Sequence, residues 1–521
     1  MITKLKNSFR TKAFFILLLP LFFIYSGYNE LFGFLTVDFV LVNFLVISAG
    51  IAFVSAIAYF FIRRIRQSVL FTFFLSAYLL LFGFIHDSLK SILPAGNFFT
   101  SFTFLIPFTI VAAALLLFYF KRNNANPFKD LFLYLNLLMV TLILSEIPNS
   151  IRRYRLDKSV HNLIDFRFKA ASAYKTANLP DSSKPDIYFL LFDGMASTKS
   201  LMTSFGKDNS QLDSFLTTQG FYIARNATCN YNWTIHSLST TMNMDYLPDF
   251  IAPVMNDPKA YYWGTNSILN NSLTTILKEE GYNVFQYQPI SINNKDWPVE
   301  IFFEALKKQH FYFKTFPGRI YRDIFWNYTL INNRYVKEMQ VSVQNNRYQR
   351  HKKMVETAYD LVKKSCDTSG KPKLVYGHFM IPHDPYIYTK EGKLKTITLE
   401  NLNKKEFEPD AYFEQLQYAN RMIKDLVQHI KTHNKKNTVI VVAGDHGFRD
   451  FKKSAWQNSF SNLNAFYFPD KNYTGLYDSI SSVNTFRVVI NTFLQGNLPL
   501  LKDSTIVVSG KNNLIISSKL Q

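Results

Sequence analysis

Two apolar runs in this chain end in residues able to bind a cation. Asp186-Ile-Tyr-Phe-Leu-Leu-Phe192 leads into Asp193-Gly194, and Thr438-Val-Ile-Val-Val-Ala443 leads into Gly444-Asp445-His446-Gly447. Continuous apolar runs of this length read as strands buried on both faces, which is the texture of a parallel sheet. In open α/β sheets ligands bind beyond the carboxyl ends of the strands. Two carboxylates and an imidazole delivered to that edge make a divalent-metal site. Each has a plainer reading. Asp193 can cap a helix starting near Ala196-Ser197-Thr198, and Asp445-His446 can be a strand-end turn held by its flanking glycines.

Two further segments offer chemistry. In Cys229-Asn-Tyr-Asn-Trp-Thr234-Ile-His-Ser-Leu the pattern passes from strand through loop into helix, with Thr234 at the predicted helix start. A hydroxyl there is either a cap or a nucleophile. The helix N-terminus favours negative charge and its free N–H groups can hold a phosphoryl oxygen; a metal ion would lower the pKa of the threonine hydroxyl. In Gly377-His378-Phe-Met-Ile-Pro-His383-Asp384-Pro-Tyr386 a strand runs into a Pro-rich loop. His383 suits a substrate-oxygen binder or leaving-group acid. His378 reads either as a buried, hydrogen-bonded histidine or, with His236 and Asn230, as a substrate contact.

The elements needed to position these residues are legible downstream of residue 185. Strands are expected at 186–192, 221–227, 283–288, 373–379, 437–443 and 463–468. Helices are expected at 209–219, 234–244, 268–280, 347–365, 410–433 and 482–495. This alternation predicts a mostly parallel sheet with helices on both faces. Residues 177–185, rich in Pro, Ser and Asp, read as a linker.

The first 150 residues differ in kind. They carry apolar stretches at 13–29, 38–62, 67–85, 98–120 and 129–148, each near the roughly 20 residues that a span needs. The first, interrupted by Pro20, also resembles a signal peptide, but no small-residue cleavage site follows it. Lys4, Lys6, Arg10 and Lys12 precede the first stretch. Arg63, Arg64 and Arg66, then Lys121, Arg122 and Lys129, fill alternate loops, whereas the loops near Glu30 and Asp87 are poor in Lys and Arg. That asymmetry puts the N-terminus inside, and five spans then put everything after residue 150 outside. Arg152, Arg153, Arg155 and Lys158 disagree with this count unless 151–176 forms an interfacial helix touching headgroups. The expected organisation is a transmembrane helical domain (1–150), an interfacial helix and linker (151–185) and an extracytoplasmic catalytic domain (186–521) of a multi-pass protein of the cytoplasmic (inner) membrane.

Composition agrees with a membrane setting. The 521 residues are 48% hydrophobic and 17% aromatic, with a net charge of +20. The charge suits anionic lipid or an anionic substrate. A nucleic-acid partner is not expected, since no Gly-rich, zinc-finger or basic-helix pattern occurs. Cys229 and Cys366 are the two cysteines; pairing and independence are both compatible with the sequence.

Through Asp193-Gly194, the Thr234 segment, the His383 loop and Gly444-Asp445-His446-Gly447, the chain resembles the alkaline phosphatase/sulfatase superfamily. It is more similar still to the membrane-anchored branch holding lipoteichoic acid synthases and phosphoethanolamine transferases. The resemblance implies an N-terminal bundle of about five spans and a C-terminal α/β sulfatase-like domain. It implies Asp193, Thr234, Asp445 and His446 as metal ligands, Thr234 as nucleophile and His383 as a contact to the transferred group. Three oxygens and one nitrogen suit Mn2+ or Zn2+. The implied reaction moves a phosphoglycerol- or phosphoethanolamine-type head group from a membrane phospholipid donor to a surface glycan or lipid acceptor. Sulfatases carry an oxidised Cys or Ser in a Cys-x-Pro-x-Arg setting. Here Tyr231 and Trp233 stand where the Pro and Arg would follow Cys229, which disfavours sulfate-ester chemistry. The alternatives are a phosphodiester or sulfate-ester hydrolase and a non-enzymatic membrane scaffold.

Overall fold

The computed structural model describes residues 2–31, 35–94, 96–123, 128–152, 154, 155, 158, 179–248, 258–287, 292, 309–325, 334–368, 370–402, 408–449 and 456–508. The chain divides into two compact units. One comprises Met1–Ser159 with Phe302–Val336, the other Val160–Ile301 with Lys337–Gln521. The segment 302–336, counted in the sequence with the catalytic domain, thus belongs to the helical unit. Most of the expected interfacial helix at 151–176 lies outside the described residues.

In the helical unit, Val37–Ile62, Ile65–Ile92, Phe102–Arg122 and Lys129–Arg152 are long and apolar enough to cross a membrane, and Phe15–Glu30 is a shorter apolar helix. Its 16 residues reach about 24 Å at roughly 1.5 Å per residue, short of the hydrocarbon thickness of about 30 Å. Its neighbour nonetheless brackets it. Arg10, just before this helix, pairs with Asp130 at the start of the last apolar helix (2.8 Å). Asn29, at its far end, donates to the Glu146 carboxylate at the far end of that helix (3.0 Å). The two helices therefore run parallel with their ends level. Asn136 makes the bend before Phe15 possible. Buried between the helices, it accepts from the Phe15 N–H and donates to the carbonyls of Phe9 and Lys12, satisfying backbone groups that a helix break would orphan.

Residues 309–325 pack onto this bundle. Phe311 is buried against Phe23 and Phe39, where Gly27 makes room: a Cβ there would meet the ring at 2.7 Å. The Gly83 N–H donates to the Lys314 carbonyl (2.7 Å). Lys314 pairs with Glu30 and Arg319 with Asp87.

The second unit is built on a six-stranded sheet. In chain order the strands are β1 (Asp186–Phe192), β2 (Tyr222–Ile223), β3 (Asn283–Tyr287), β4 (Lys373–Phe379), β5 (Thr438–Gly444) and β6 (Asn464–Tyr467). Their spatial order is β2-β6-β5-β1-β4-β3. β3, β4, β1 and β5 are parallel, while β6 runs antiparallel to β5 and β2 antiparallel to β6. β1, β4 and β5 are buried along their whole length, as their unbroken apolar runs require. One core cluster joins Tyr188, Leu190 and Phe192 of β1 to Val375, Ile440 and Val442, and to Leu416, Ile423, Leu426 and Ile430 of the helix Glu408–His433.

Three expected elements differ in extent. The strand foreseen at 221–227 stops at Ile223, because the Arg225 and Asn226 N–H groups turn to Asp478. The helix foreseen at 268–280 is two helices, Pro258–Leu269 and Ser272–Glu279; Asn271 caps the second by accepting from the Thr274 N–H. The helix foreseen at 347–365 begins earlier and spans Arg334–Lys364.

Candidate active site

The register of the three central strands creates the site. Phe192 of β1 lies opposite Gly444 of β5 and Phe379 of β4. The next residue along β1 is Asp193, the next along β5 is Asp445, and the chain beyond β4 turns into the His383 loop. Three adjacent carboxyl ends thus deliver their polar side chains to one level, the position expected for a ligand in such a sheet.

Each side chain is held by one atom and leaves another uncommitted. Asp445 Oδ1 accepts from the N–H groups of Gly194 and His446 (2.9 Å each), which leaves Oδ2. Asp193 Oδ2 accepts from His378 Nε2 (3.2 Å), which leaves Oδ1. His446 Nδ1 donates to the Gly447 carbonyl (2.7 Å), which leaves Nε2. The three remaining atoms are buried and have no hydrogen-bond partner among the described residues. They face one another: His446 Nε2 lies 3.5 Å from Asp193 Oδ1 and 3.5 Å from Asp445 Oδ2. Buried polar atoms are normally paired, so three convergent exceptions fit a divalent cation. His383 Nε2 stands at the rim, 3.9 Å from Asp193 Oδ1. Asp193, His383 and His446 form a candidate metal cluster with ligand atoms within 4.8 Å of one another.

His378 supports this arrangement from behind. It is buried, donates to Asp193 through Nε2 and so faces the Tyr376 hydroxyl through Nδ1 (3.2 Å). Burial, with Asp445 and Asp193 adding, pushes the Tyr376 phenol well above its ordinary value, so it stays protonated and donates. His378 therefore takes the hydrogen-bonded reading and fixes the carboxylate, an arrangement typical of the shell around metal ligands. Burial alone would lift the Asp193 carboxyl; His383, His378 and His446 outweigh it and hold the group well below the usual carboxylate range. Burial alone would lower His383; Asp193 and Asp384 outweigh it and push the imidazole up to about 9.

Thr234 opens the helix Thr234–Asn243 and is buried. Trp233, the residue before it, has extended backbone and makes no side-chain cap, so the first-turn N–H groups are not capped from that position. Ser237, one turn on, donates to the Asp445 carbonyl (2.6 Å) and ties this helix to the β5 end. His236 is buried in the same helix, and burial lowers its imidazole to about 4. Asn230 is fully engaged elsewhere. It donates to Tyr246, Ser481 and the Ser504 carbonyl and accepts from the Val483 N–H, so it organises the start of the helix Ser482–Phe493. Cys229 and Cys366 are free and buried.

Arg449 escaped the sequence reading, although it sits two residues beyond Gly447. Its guanidinium lies 4.3 Å above the Trp233 ring, and its Nη2 lies 2.6 Å from His383 Nε2. His351, on the helix Arg334–Lys364, was also missed; its Nε2 meets the Met380 carbonyl (2.9 Å) at the start of the His383 loop.

Fold and site together define a membrane-anchored enzyme with a sulfatase-like catalytic domain. The sulfatase family model matches residues 185–489, and the chain belongs to that family. No curated protein matches it. Among solved structures it is similar to the integral membrane protein lipooligosaccharide phosphoethanolamine transferase A (EptA) from Neisseria meningitidis, at 11% identity over 91% of this chain and 95% of that one, with a TM-score of 0.39. It is also similar to the C-terminal periplasmic domain of EptC from Escherichia coli in complex with Zn, at 11% identity over 66% and 94% with a TM-score of 0.40. A third is the C-terminal periplasmic domain of phosphoethanolamine transferase EptC from Campylobacter jejuni, at 10% identity over 61% and 92% with a TM-score of 0.35.

Proposed function

We propose that the chain is a metal-dependent transferase that moves a phospho-substituted head group, of the phosphoglycerol or phosphoethanolamine type, from a membrane phospholipid to a surface glycan or lipid. The observation that carries this reading is the convergence of the uncommitted atoms of Asp193, Asp445 and His446, with the Thr234 helix hydrogen-bonded to Asp445 through Ser237. Those three atoms, with the Thr234 hydroxyl, would hold the cation, and their donor set suits Mn2+ or Zn2+. When bound, the cation supplies Lewis-acid activation of oxygen.

The protein's own residues do the rest. The Thr234 oxygen attacks the phosphodiester in line and forms a Thr–O–P bond as the bond to diacylglycerol breaks. The His383 imidazole, once its Nε2 has exchanged the Arg449 contact for a proton, gives that proton to the departing glycerol oxygen, and the threonine proton leaves to solvent. In the second half the acceptor oxygen displaces Thr234 from phosphorus. His383 takes the acceptor's proton and the threonine oxygen regains one from solvent. Helix N-terminal N–H groups offset the charge on the phosphoryl oxygens.

An extracytoplasmic site is part of the proposal, with 186–521 outside the cytoplasmic membrane. Two observations support it. The Phe15–Glu30 helix runs parallel to the last span, and residues 309–325 bind the ends marked by Glu30 and Asp87, the side that the charge asymmetry assigns to the exterior. An extracytoplasmic reporter signal from a fusion after residue 160 is expected; a cytoplasmic one would overturn the topology.

The direct test of the chemistry is intact-mass measurement after exposure to phospholipid with a labelled head group. An adduct on Thr234, absent from Thr234→Ala, is expected. Undiminished turnover by Thr234→Ala would exclude this route. The family match itself favours one second reading, a hydrolase with water as acceptor. Release of the free head group at full rate without any acceptor would establish that instead.

A further inference from the structure

Arg449 is pinned by the residues around it. Phe448 before it is buried, with its ring 4.3 Å from Tyr412 and 5.1 Å from Phe205. That anchors the backbone from which the side chain leaves. The guanidinium then rests on the Trp233 face, a contact that fixes its plane and desolvates one side. Of its two terminal nitrogens, Nη2 donates to His383 Nε2 at 2.6 Å, while Nη1 is buried without a hydrogen-bond partner among the described residues. Its close contact is thus an imidazole nitrogen, while the Asp384 carboxylate interacts with the guanidinium electrostatically without pairing to it. Burying a charged donor without a partner is costly. The cost is recovered when an anion completes the fork.

The position of that anion is bounded on two sides. Trp233, under the guanidinium, is the residue before Thr234. His383, beside it, borders Asp193 Oδ1 at 3.9 Å. An anion touching Nη1 of Arg449 therefore lies near both the proposed nucleophile helix and the carboxylate cluster. Guanidinium prefers an anion that offers two oxygens in one plane, which a phosphodiester or phosphate does.

We propose that Arg449 is the phosphoryl clamp of this site: it grips a non-bridging oxygen of the transferred group through its uncommitted nitrogen Nη1, with Trp233 as its platform and His383 Nε2, which accepts from Nη2, fixing the other arm. This rests on the transferase reading for the identity of the group, but not for the presence of an anion site. No bond is made or broken by Arg449; it holds the phosphoryl group in place for Thr234.

The experiment titrates inorganic phosphate into the full-length protein in detergent, by calorimetry and by quenching of tryptophan fluorescence, with and without chelator. Wild type, Arg449→Ala, Arg449→Lys and Trp233→Phe are compared after circular dichroism shows each folded. Phosphate binding weaker by on the order of tenfold to a hundredfold in Arg449→Ala, with part of that loss restored in Arg449→Lys and a smaller loss in Trp233→Phe (read by calorimetry), is the expected result. Arg449→Ala binding phosphate within twofold of wild type would overturn the clamp, as would no phosphate binding by wild type in either condition. A clamp that binds phosphate in a wild-type protein that takes no adduct from phospholipid would refute the transferase reading and leave the anion site standing.

Discussion

His446 Nε2 and Asp193 Oδ1 stand 3.5 Å apart, both buried, and neither has a hydrogen-bond partner among the described residues. The opposite atom of each residue is fully committed, to the Gly447 carbonyl and to His378. Such a pair is pre-aimed: the hydrogen bonds that orient the two side chains also prevent the free atoms from turning to find other partners. Asp193→Asn is expected to remove bound metal from the purified protein, measured by elemental analysis, and to abolish the thermal stabilisation that added Mn2+ or Zn2+ gives wild type. His378→Phe leaves every proposed ligand in place but loses the bond to Asp193 Oδ2, so metal affinity is expected to fall by about 10–100-fold. Unchanged metal content in Asp193→Asn would refute the site.

The two glycines flanking this pair are not equivalent. A Cβ on Gly447 would lie 2.1 Å from the Asn458 carbonyl oxygen and 2.6 Å from that of Ser461. These are backbone atoms and cannot swing away. On Gly194 the nearest atom would be the His446 ring at 3.4 Å, and the obstacle is the positive φ of 72°. Gly447→Ala is expected to cost roughly 1–3 kcal/mol from overpacking and to displace His446, with metal binding lost. Gly194→Ala is expected to cost about 1–2 kcal/mol from the left-handed backbone while keeping the site. Denaturant midpoints of the two variants, measured beside metal content, separate these outcomes.

His351 gives the catalytic unit a weakness in mild acid. Burial lowers its imidazole to about 4, with His383 and Arg347 adding to the effect and the Met380 carbonyl opposing it. In the unfolded chain the same group titrates near 6.5. Above pH 6.5 neither state is protonated and His351 has no effect. As pH falls from 6.5 toward 4 the unfolded chain takes up a proton that the folded protein refuses, and stability falls over that window. His351→Gln can still donate to the Met380 carbonyl but cannot titrate. Its stability is expected to decline less than that of wild type between pH 6.5 and 4 in parallel thermal melts. Identical slopes would assign the acid loss to other groups.

What the sequence displayed well was whatever depends on local pattern. The runs before Asp193 and Asp445 are apolar at every position because both faces of β1 and β5 are covered, so strand type and burial could be read directly. The glycines around Asp445-His446 marked the turn. Less legible was anything decided across the fold. That Asn230 would be saturated by Tyr246, Ser481, Ser504 and Val483 depends on a helix some 250 residues later. That Arg449 would lie on Trp233 depends on two loops meeting, and one Arg after a Gly carries no spacing signal. The segment 309–325 misled for the opposite reason. Its aromatic run His310-Phe-Tyr-Phe-Lys-Thr-Phe316 carries the hydrophobicity of a membrane-facing element, but it is too short to count as a span.

That segment can be dislodged selectively. Gly83 approaches Lys314 so closely that a Cβ would lie 2.8 Å from its Cα and carbonyl oxygen. Gly83→Val therefore is expected to expel residues 309–325 from the bundle while the apolar helix around position 83 persists. Lys314, Arg319 and Arg322 supply trypsin sites whose exposure can be followed. Cleavage at these residues is expected to be rapid in Gly83→Val and slow in wild type, in detergent and in vesicles alike. Equal rates would mean that the packing on Gly27 and Gly83 does not hold the segment.

The nucleophile can be assigned between two residues five positions apart. Cys229 is the more nucleophilic side chain in isolation, and the wider family uses an oxidised cysteine. Its surroundings rule against it. Burial, reinforced by the negative charge of Asp445, pushes its thiol well above the ordinary value, and its sulfur contacts the Ser459 carbonyl (3.6 Å). A thiol held protonated is a poor nucleophile and a poor target for oxidation. Thr234 instead starts a helix, where N–H groups would face the incoming phosphoryl oxygens of the proposed reaction. Cys229→Ser is expected to form the phospholipid-derived adduct at a rate within about threefold of wild type, a cost of under 1 kcal/mol. Thr234→Ser is expected to retain the adduct and Thr234→Ala to lose it. Peptide mapping that found the adduct on residue 229, or an adduct lost in Cys229→Ser with folding intact, would move the chemistry to the cysteine and leave Thr234 as a helix cap.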